Sequence, residues 1–488
     1  MINLIGRAEE IAILENIYHS DKPEFLALYG RRRVGKTFLI RQFFDVKKAV
    51  FFNVTGSKNG PLQEQIRHFT DQISAVFYKG VSITAGKNWE ENFKLLTKVI
   101  QEQAPKNKKI ILFFDELPWM ATRNSRLLEA IDYYWNQHWS NDKRIKLIVC
   151  GSSASWIIDK IIHNKGGLYN RITKQIWLEP FNLPQTKEYL HTIGAKLNHR
   201  QILLLYMVTG GVPYYLSQVE KGLSASQIIE GLAFSKKAFL LKEFNYLFSS
   251  LFDDGYVYID IVRIIAENRY GIGERALLET IGKHAIGGAG KKKLRELEQT
   301  GFIMSFKPLY HKKKGTYYRL TDEYTLFYLK WIEPRQDTLQ KEALDHESWQ
   351  TLQTTPEWYS WLGYAFEAVC YKHLSPIRKA LKLSATAIPS AWRYVPKKGA
   401  KQRGAQIDLL FDRKDDAITI CEIKYTEDPF VLTKEYVNIL RRKELVFKEV
   451  TRTRKQLFLA FISANGIKNN YYAEDISSGV VTLDDLFK

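Results

Sequence analysis

FLALYGRRRVGKT, residues 25–37, sets a short apolar run against a basic loop bounded by glycines. Phe25 to Tyr29 is continuously apolar, the pattern of a strand buried on both faces of a parallel sheet. The loop spells GxxxxGK[ST], with Gly30, Gly35, Lys36 and Thr37 in register and Arg31, Arg32, Arg33 and Val34 between them. FLIRQFF follows with helical character, so strand, loop and helix occur in the order a phosphate-binding loop requires. Glycines let main-chain N–H groups approach phosphate oxygens, the Lys36 ammonium neutralises β and γ charge, and the Thr37 hydroxyl ligates magnesium. A chance glycine turn would explain the two glycines but not their setting.

Working outward, Lys109 to Phe114 (KIILFF) reads as a second buried strand and ends in Asp115 and Glu116. Carboxylates at the carboxyl end of such a strand stand where ligands of open α/β sheets collect. Asp115 is expected to hold magnesium, and Glu116 to orient and deprotonate the attacking water. A third strand, Lys146 to Cys150 (KLIVC), runs into GSSAS, where Ser152 or Ser153 can present a hydroxyl to the γ-phosphate or simply form a turn. Arg171, in GGLYNRIT, offers a guanidinium for transition-state charge, or a surface ion pair. Gly210, Gly211 and Pro213 in TGGVPYYL make a tight turn after the helical stretch ILLLYMV.

The segment from GRAEE to TGGVPYYL resembles the archaeal-type P-loop ATPases of the AAA and signal-transducing (STAND) lineage, through Gly6, Arg7, Glu10, GRRRVGKT, FFDE, CGSS, LYNR and the Gly211–Pro213 turn. The resemblance implies that Pro213 lies near adenine and that Arg171 senses nucleotide. Serine stands where ring-forming hexamers commonly carry asparagine, and no clear arginine-finger pair is present.

Length favours roughly three domains at about 150 residues each. The motifs divide the chain into an ATPase core (1–180), a helical lid (181–250), a winged-helix domain (251–345) and a nuclease-like domain (346–488). Lys and Arg outnumber Asp and Glu by 72 to 53, and the formal charge of +19 attracts polyanions, nucleic acid foremost, unless it is merely a solvated basic surface. Hydrophobic residues at 45% and charged residues at 26% argue against disorder. Cys150, Cys370 and Cys421 form neither a CxxC pair nor an even disulfide set, which fits a reducing compartment. No stretch approaches the ~18 apolar residues of a membrane span, so the expected location is cytoplasmic.

From Tyr256 to Ile332, three amphipathic helical stretches precede GFIMSFKPLYHKKKGTYYRLTD, whose alternation predicts a hairpin around Lys312 to Gly315. That order is winged-helix. Lys291, Lys292, Lys293, Arg295 and Lys312 to Lys314 can contact phosphates, or the module can pack within the protein and bind no DNA. After the polar stretch Asp345 to Pro356, WLGYAFEAVCYKHL reads as a helix with Glu367 on it. IDLLF and AITICEIKY then flank the turn RKDD as an antiparallel pair. Glu422 and Lys424, two apart, share a face, while Ile423 points to the other. With Asp408 on the partner strand they form a divalent-ion site able to activate water against a phosphodiester, or a strand-end ion pair. Lys424 would then stabilise developing charge.

This segment resembles the restriction-endonuclease-like PD-(D/E)xK fold, with Asp408, Glu422 and Lys424 matching D and ExK, and Gly363 to Glu367 matching its early helix carboxylate. The whole layout resembles archaeal-type ATPases whose C-terminal domain of unknown function carries this core. Cations of PKKGAKQRG, RRK and RTRK are expected to stand by for substrate phosphates, or are solvated surface charge. The expected fold is α/β throughout: a parallel P-loop NTPase sheet, a helical lid, a winged helix and an α/β nuclease-like domain. The expected function is an ATPase coupled to a metal-dependent nuclease, or an ATP-dependent regulator or scaffold with an inert nuclease fold. Expected ligands are ATP, Mg2+ and, at the nuclease-like site, Mg2+ or Mn2+. Expected partners are DNA or RNA and a second copy of the chain, with no membrane.

Overall fold

Alternate residues of the strand before the loop enter different cores: Phe25 and Ala27 pack on one side, Leu26 and Leu28 on the other. This is the period-two geometry of a strand covered on both faces. In the computed structural model that strand is β1 (Glu24–Tyr29), joined by β2 (Val50–Thr55), β3 (Ile110–Asp115), β4 (Ile145–Gly151) and β5 (Lys174–Trp177). The structure describes residues 4–488 except 123, 164–165, 167, 169, 236, 310–314, 342–345 and 397–403. The chain divides into two compact units, Met1–Pro180 and Phe181–Lys488.

The first unit is built on a sheet of order β2-β3-β4-β1-β5 with every pairing parallel. β3 and β4 are buried at every residue, which is why they read as near-continuous apolar sequence. Helices Ala8–His19 and Lys36–Asp45 cover one face through Leu14, Ile17, Leu39, Ile40, Phe43 and Phe44. Helices Leu62–Phe77 and Trp89–Gln103 cover the other through Phe69, Ile73, Trp89 and Phe93. β4 lies between β3 and β1, so the carboxyl ends of these three strands stand side by side, and the residues leaving them face a common ligand position.

In the second unit one hydrophobic core runs from Phe181 to Leu486. Its first part is helical and includes His199–Thr209 and Phe239–Leu251. Helices Gly255–Glu267, Glu274–Ile281 and Ala289–Gln299 follow, with a small antiparallel sheet of β6 (Ile272–Gly273), β7 (Ile303–Phe306) and β8 (Tyr317–Leu320) in the order β6-β8-β7. The expected hairpin is present in the pairing of Ile303 with Leu320 and Phe306 with Tyr317. Lys312 to Lys314 lie outside the described residues.

The C-terminal part has helix Pro356–Lys372, then β9 (Ile388–Tyr394), β10 (Ala405–Asp412), β11 (Ala417–Lys424), helix Lys434–Thr451, β12 (Gln456–Ser463) and β13 (Gly479–Thr482). The sheet is mixed: β9, β10 and β11 are antiparallel neighbours, and β11, β12 and β13 are parallel. Thr355 starts the long helix by accepting the Trp358 N–H on its hydroxyl, a cap worth about 1 kcal/mol, with Pro356 in the first turn where its missing N–H costs nothing. Leu409 pairs with Cys421, and continuing that register one residue sets Asp408 opposite Glu422. The β9–β10 register shifts between Ile407 and Leu410, a bulge that frees Asp408 from regular pairing.

Candidate functional site

The loop after β1 is shaped by its glycines. Gly30 has φ +151°, and a Cβ there would stand 2.2 Å from the Leu178 carbonyl oxygen, so any larger residue would push the loop off the sheet. Gly35 has φ +92° and precedes helix Lys36–Asp45, whose first amides point back into the loop. Arg33 also adopts left-handed φ. Lys36 is buried, and its Nζ donates to the carbonyls of Gly30 and Arg31 at 2.8 and 2.9 Å. Arg31 and Val34 are buried, Arg32 and Arg33 partly so. Arg7 performs a task that its place in the sequence does not disclose: its Nη2 donates to the Val34 carbonyl at 3.1 Å and ties the loop to the segment before the first helix.

The acidic pair sits beside this loop. Asp115 is 2% exposed, and its Oδ2 accepts from Thr37 Oγ1 at 2.7 Å. A hydroxyl and a carboxylate in contact at the mouth of a phosphate loop are the donors that suit magnesium, so this residue set fits the ion. Glu116 takes left-handed φ at the start of the short helix Leu117–Met120, which turns its side chain along the sheet edge toward β4. There Ser152 donates to Glu116 Oε2 twice, from N at 3.0 Å and from Oγ at 2.8 Å. Of the two serines left open by the sequence, Ser152 is thus tied to the acidic pair, while Ser153 lies against Ser155. Arg171 is exposed, in a turn closed by its N–H on the Leu168 carbonyl.

Pro213 belongs to the second unit, at the start of helix Pro213–Leu216. The glycine turn before it packs tightly. A Cβ on Gly211, at φ +67°, would meet the Phe181 carbonyl oxygen at 2.0 Å, and the Phe181 N–H donates to the Gly211 carbonyl.

The second site is a pocket of ≈ 370 Å³ that holds Glu367, Asp408, Glu422 and Lys424 together. Three separated segments supply them: helix Pro356–Lys372, the bulged strand β10, and β11. Glu422 is 3% exposed and fully engaged. Lys424 lies at 3.0 Å, Lys443 at 2.8 Å, and the Tyr436 hydroxyl donates to it. Burial raises its pKa, but the ammonium groups of Lys443 and Lys424 and the hydrogen bonds from Lys443 and Tyr436 outweigh that and hold the carboxyl below its ordinary value.

Asp408 is pushed up by burial and by Glu422, and its Oδ1 accepts from Gln406 at 2.7 Å. Glu367 is pushed up to about 7 by burial and then by Asp408, against the pull of Arg269, whose Nη2 lies 3.1 Å from its Oε1. Asp408 and Glu422 are the hard oxygen donors a divalent cation requires. Among the described residues no group of three or more His, Cys, Asp or Glu is arranged to hold a metal as it stands.

Several cations of the basic clusters have partners within the protein. Lys443 of RRK is spent on Glu422, Arg441 pairs with Asp475, and Lys455 of RTRK pairs with Asp412. Residues 397–403 of PKKGAKQRG lie outside the described residues. On helix Ala289–Gln299, Lys291 pairs with Glu274, Lys292 lies 3.8 Å from Glu296, and Lys293 stands over Tyr258. Exposed pairs of this kind contribute about 0–1 kcal/mol and give way to a phosphate at little cost. Among the described residues no helix is long and apolar enough to cross a membrane.

Residues 4–219 match a family described as an ATPase domain predominantly from Archaea. An uncharacterized protein of Methanocaldococcus jannaschii is 26% identical over 450 residues, 91% of this chain and 92% of its own. An uncharacterized ATP-binding protein of the same organism is 44% identical over 48 residues, 10% of this chain and 81% of its own. Among solved structures, the Walker-type ATPase of Pyrococcus abyssi aligns at TM-score 0.47 and 19% identity, covering 67% of this chain and 96% of that one. The family match falls on the segment that carries the loop and the acidic pair, and this part of the chain is a P-loop ATPase domain.

Proposed function

We propose that the chain couples ATP binding and hydrolysis in its first unit to metal-dependent cleavage of nucleic acid in the C-terminal pocket. The observation that carries the second half is the convergence on one pocket of Asp408, Glu422 and Lys424 from the β10–β11 hairpin and of Glu367 from helix Pro356–Lys372, some forty positions earlier. Four such residues serve no packing purpose, since burying carboxylates costs free energy that an apolar core would avoid. The helix, three antiparallel strands, helix and parallel strand around them support reading the segment as PD-(D/E)xK-like. The order of helices and strands from Gly255 to Leu320 likewise supports a winged helix.

In the first unit the loop amides and Lys36 would bind the β and γ phosphates, with Thr37 and Asp115 holding Mg2+. Glu116 would take the proton of the attacking water, and Ser152 would fix its carboxylate meanwhile. Arg171 as a nucleotide sensor and Pro213 near adenine belong to the same reading. In the second unit Asp408 and Glu422 would hold Mg2+ or Mn2+, which when bound supplies a hydroxide near neutral pH and offsets phosphate charge. Lys424 would donate to the attacked phosphate, and Glu367 would polarise the site from the opposite wall.

Purified protein with Mg2+ or Mn2+ is expected to cut DNA or RNA, and Asp408→Ala or Glu422→Ala to abolish cutting while ATP still binds. The second reading, an ATP-dependent regulator or scaffold with an inert pocket, is favoured by one observation: Glu422 already has two ammonium partners. Intact substrate across a broad panel of DNA and RNA selects it.

A further inference from the structure

The pocket of Glu367, Asp408 and Glu422 is not closed by the C-terminal segment alone. Arg269 and Tyr270, which also line it, come from the turn Asn268–Gly271 between helix Gly255–Glu267 and β6. The turn is fixed. Gly271 N–H donates to the Asn268 carbonyl at 2.7 Å, and Asn268 Nδ2 donates to the Ile264 carbonyl at 2.8 Å. Gly271 has φ +88°, and a Cβ on it would meet the Phe306 ring at 2.9 Å. The corner residues are therefore presented to the pocket by a seated backbone.

Arg269 Nη2 is taken by Glu367, but its Nε is buried without a hydrogen-bond partner. A buried N–H of that kind is destabilising unless an acceptor arrives, and a phosphate oxygen is the acceptor a guanidinium fork fits. Tyr270 is partly exposed, its ring centroid 5.8 Å from the Arg269 guanidinium and 4.7 Å from that of Arg393. On another wall, Gly363 lies inside helix Pro356–Lys372, where glycine is less favourable than alanine. Neither backbone nor packing demands it: a Cβ there would meet nothing within 4 Å. A glycine kept at a pocket wall leaves the helix backbone open to whatever enters.

We propose that Arg269, Tyr270 and Gly363 form a subsite for one unpaired nucleotide, so that the pocket takes single-stranded DNA or RNA in preference to intact duplex. This deepens the nuclease reading and rests on it. At ≈ 370 Å³ the pocket lies near the small end of the ~300–1,000 Å³ range of ligand pockets, room for a single nucleotide. A base can stack on Tyr270 only after it has left the stack of a duplex, at the cost of unpairing and unstacking it. A single strand avoids that cost. Stacking on Tyr270 reads no particular base, and Arg269 reads the phosphate beside it.

The test uses the full chain carrying Asp408→Ala, so that nothing is cut, and fluorescence anisotropy with labelled single-stranded DNA, single-stranded RNA and duplex DNA. Raised salt suppresses binding by basic surface alone. Single strands of either sugar are expected to bind at least about tenfold tighter than duplex. Tyr270→Ala is expected to lower single-strand affinity about tenfold, Tyr270→Phe to preserve it, and Gly363→Leu to lower it, with duplex affinity unmoved. Equal affinity for duplex and single strand, or equal behaviour of Tyr270→Ala and Tyr270→Phe, overturns the subsite. Metal-dependent cutting of duplex by wild-type protein, unaffected by Tyr270→Ala, also removes the subsite but leaves the nuclease reading standing. No binding and no cutting of any nucleic acid removes both.

Discussion

The two acidic sites of this chain satisfy their carboxylates in opposite ways. Asp115 and Glu116 in the first unit are held by hydroxyls and amides, from Thr37 and Ser152, while Lys36 rests on main-chain carbonyls. Glu422 and Glu367 in the second unit are held chiefly by the cations Lys443, Lys424 and Arg269, with Asp408 beside them on the Gln406 amide. Neutral partners orient a carboxylate and leave its charge uncompensated, so the first site is preorganised for a cation and a polyphosphate arriving together. Cationic partners neutralise the charge in advance, so a metal entering the second site must displace an ammonium group or share a carboxylate with it. Acidic residues at strand ends are thus not one kind of signal; what lies against them decides how readily they take a metal.

Lys36→Ala should break the first side of this contrast with the largest effect. Removing the Lys36 ammonium, which we propose meets the phosphates, is expected to weaken ATP binding by about 100-fold or more, read by calorimetric titration. The second side should respond to Lys443→Met. Glu422 then keeps a single ammonium partner, metal-free thermal stability is expected to fall by about 2–3 kcal/mol, and Mn2+ should restore more of it than it adds to wild-type protein. An equal Mn2+ effect in both proteins would show that Lys443 does not compete with metal.

A pH titration sharpens the contrast further. His373 is buried, accepts the Leu183 N–H at Nε2, and is pushed down to about 4 by burial. Its unfolded form binds a proton below 6.5, so the stability it contributes is present above that pH and is lost as pH falls through 4, about 3 kcal/mol in all. His373→Gln should flatten the urea-unfolding profile of the second unit over that window and leave the first unit unchanged. Ser152→Ala should give the smallest effect, a loss of about 1 kcal/mol in transition-state stabilisation of hydrolysis with ATP affinity retained.

How much of this was legible in the sequence follows from chain distance. The loop and its helix are contiguous, so Gly30 to Thr37 declare themselves, and the fully buried β3 and β4 read as apolar runs ending at Asp115 and Cys150. The mixed C-terminal sheet was legible where period-two alternation set Glu422 and Lys424 on one face, and in the β10–β11 pairing. Contacts that bridge long separations were not. Arg269 meets Glu367 across 98 positions, and Lys443 meets Glu422 from 21 positions on, midway along helix Lys434–Thr451, where the sequence shows only one more cation in a basic cluster. The bulge between Ile407 and Leu410 has no glycine or proline to announce it. Arg7 entered only as one residue of the family resemblance, and its hydrogen bond to the Val34 carbonyl, 27 positions on, had no local signal.

Incubating the full chain and its Asp408→Ala variant with Mn2+ and a mixed panel of DNA and RNA tests the central claim most directly. The account predicts new, shorter products with the wild-type protein and none with the variant, while both bind ATP alike. Intact nucleic acid throughout, or products formed equally by both proteins, would contradict it.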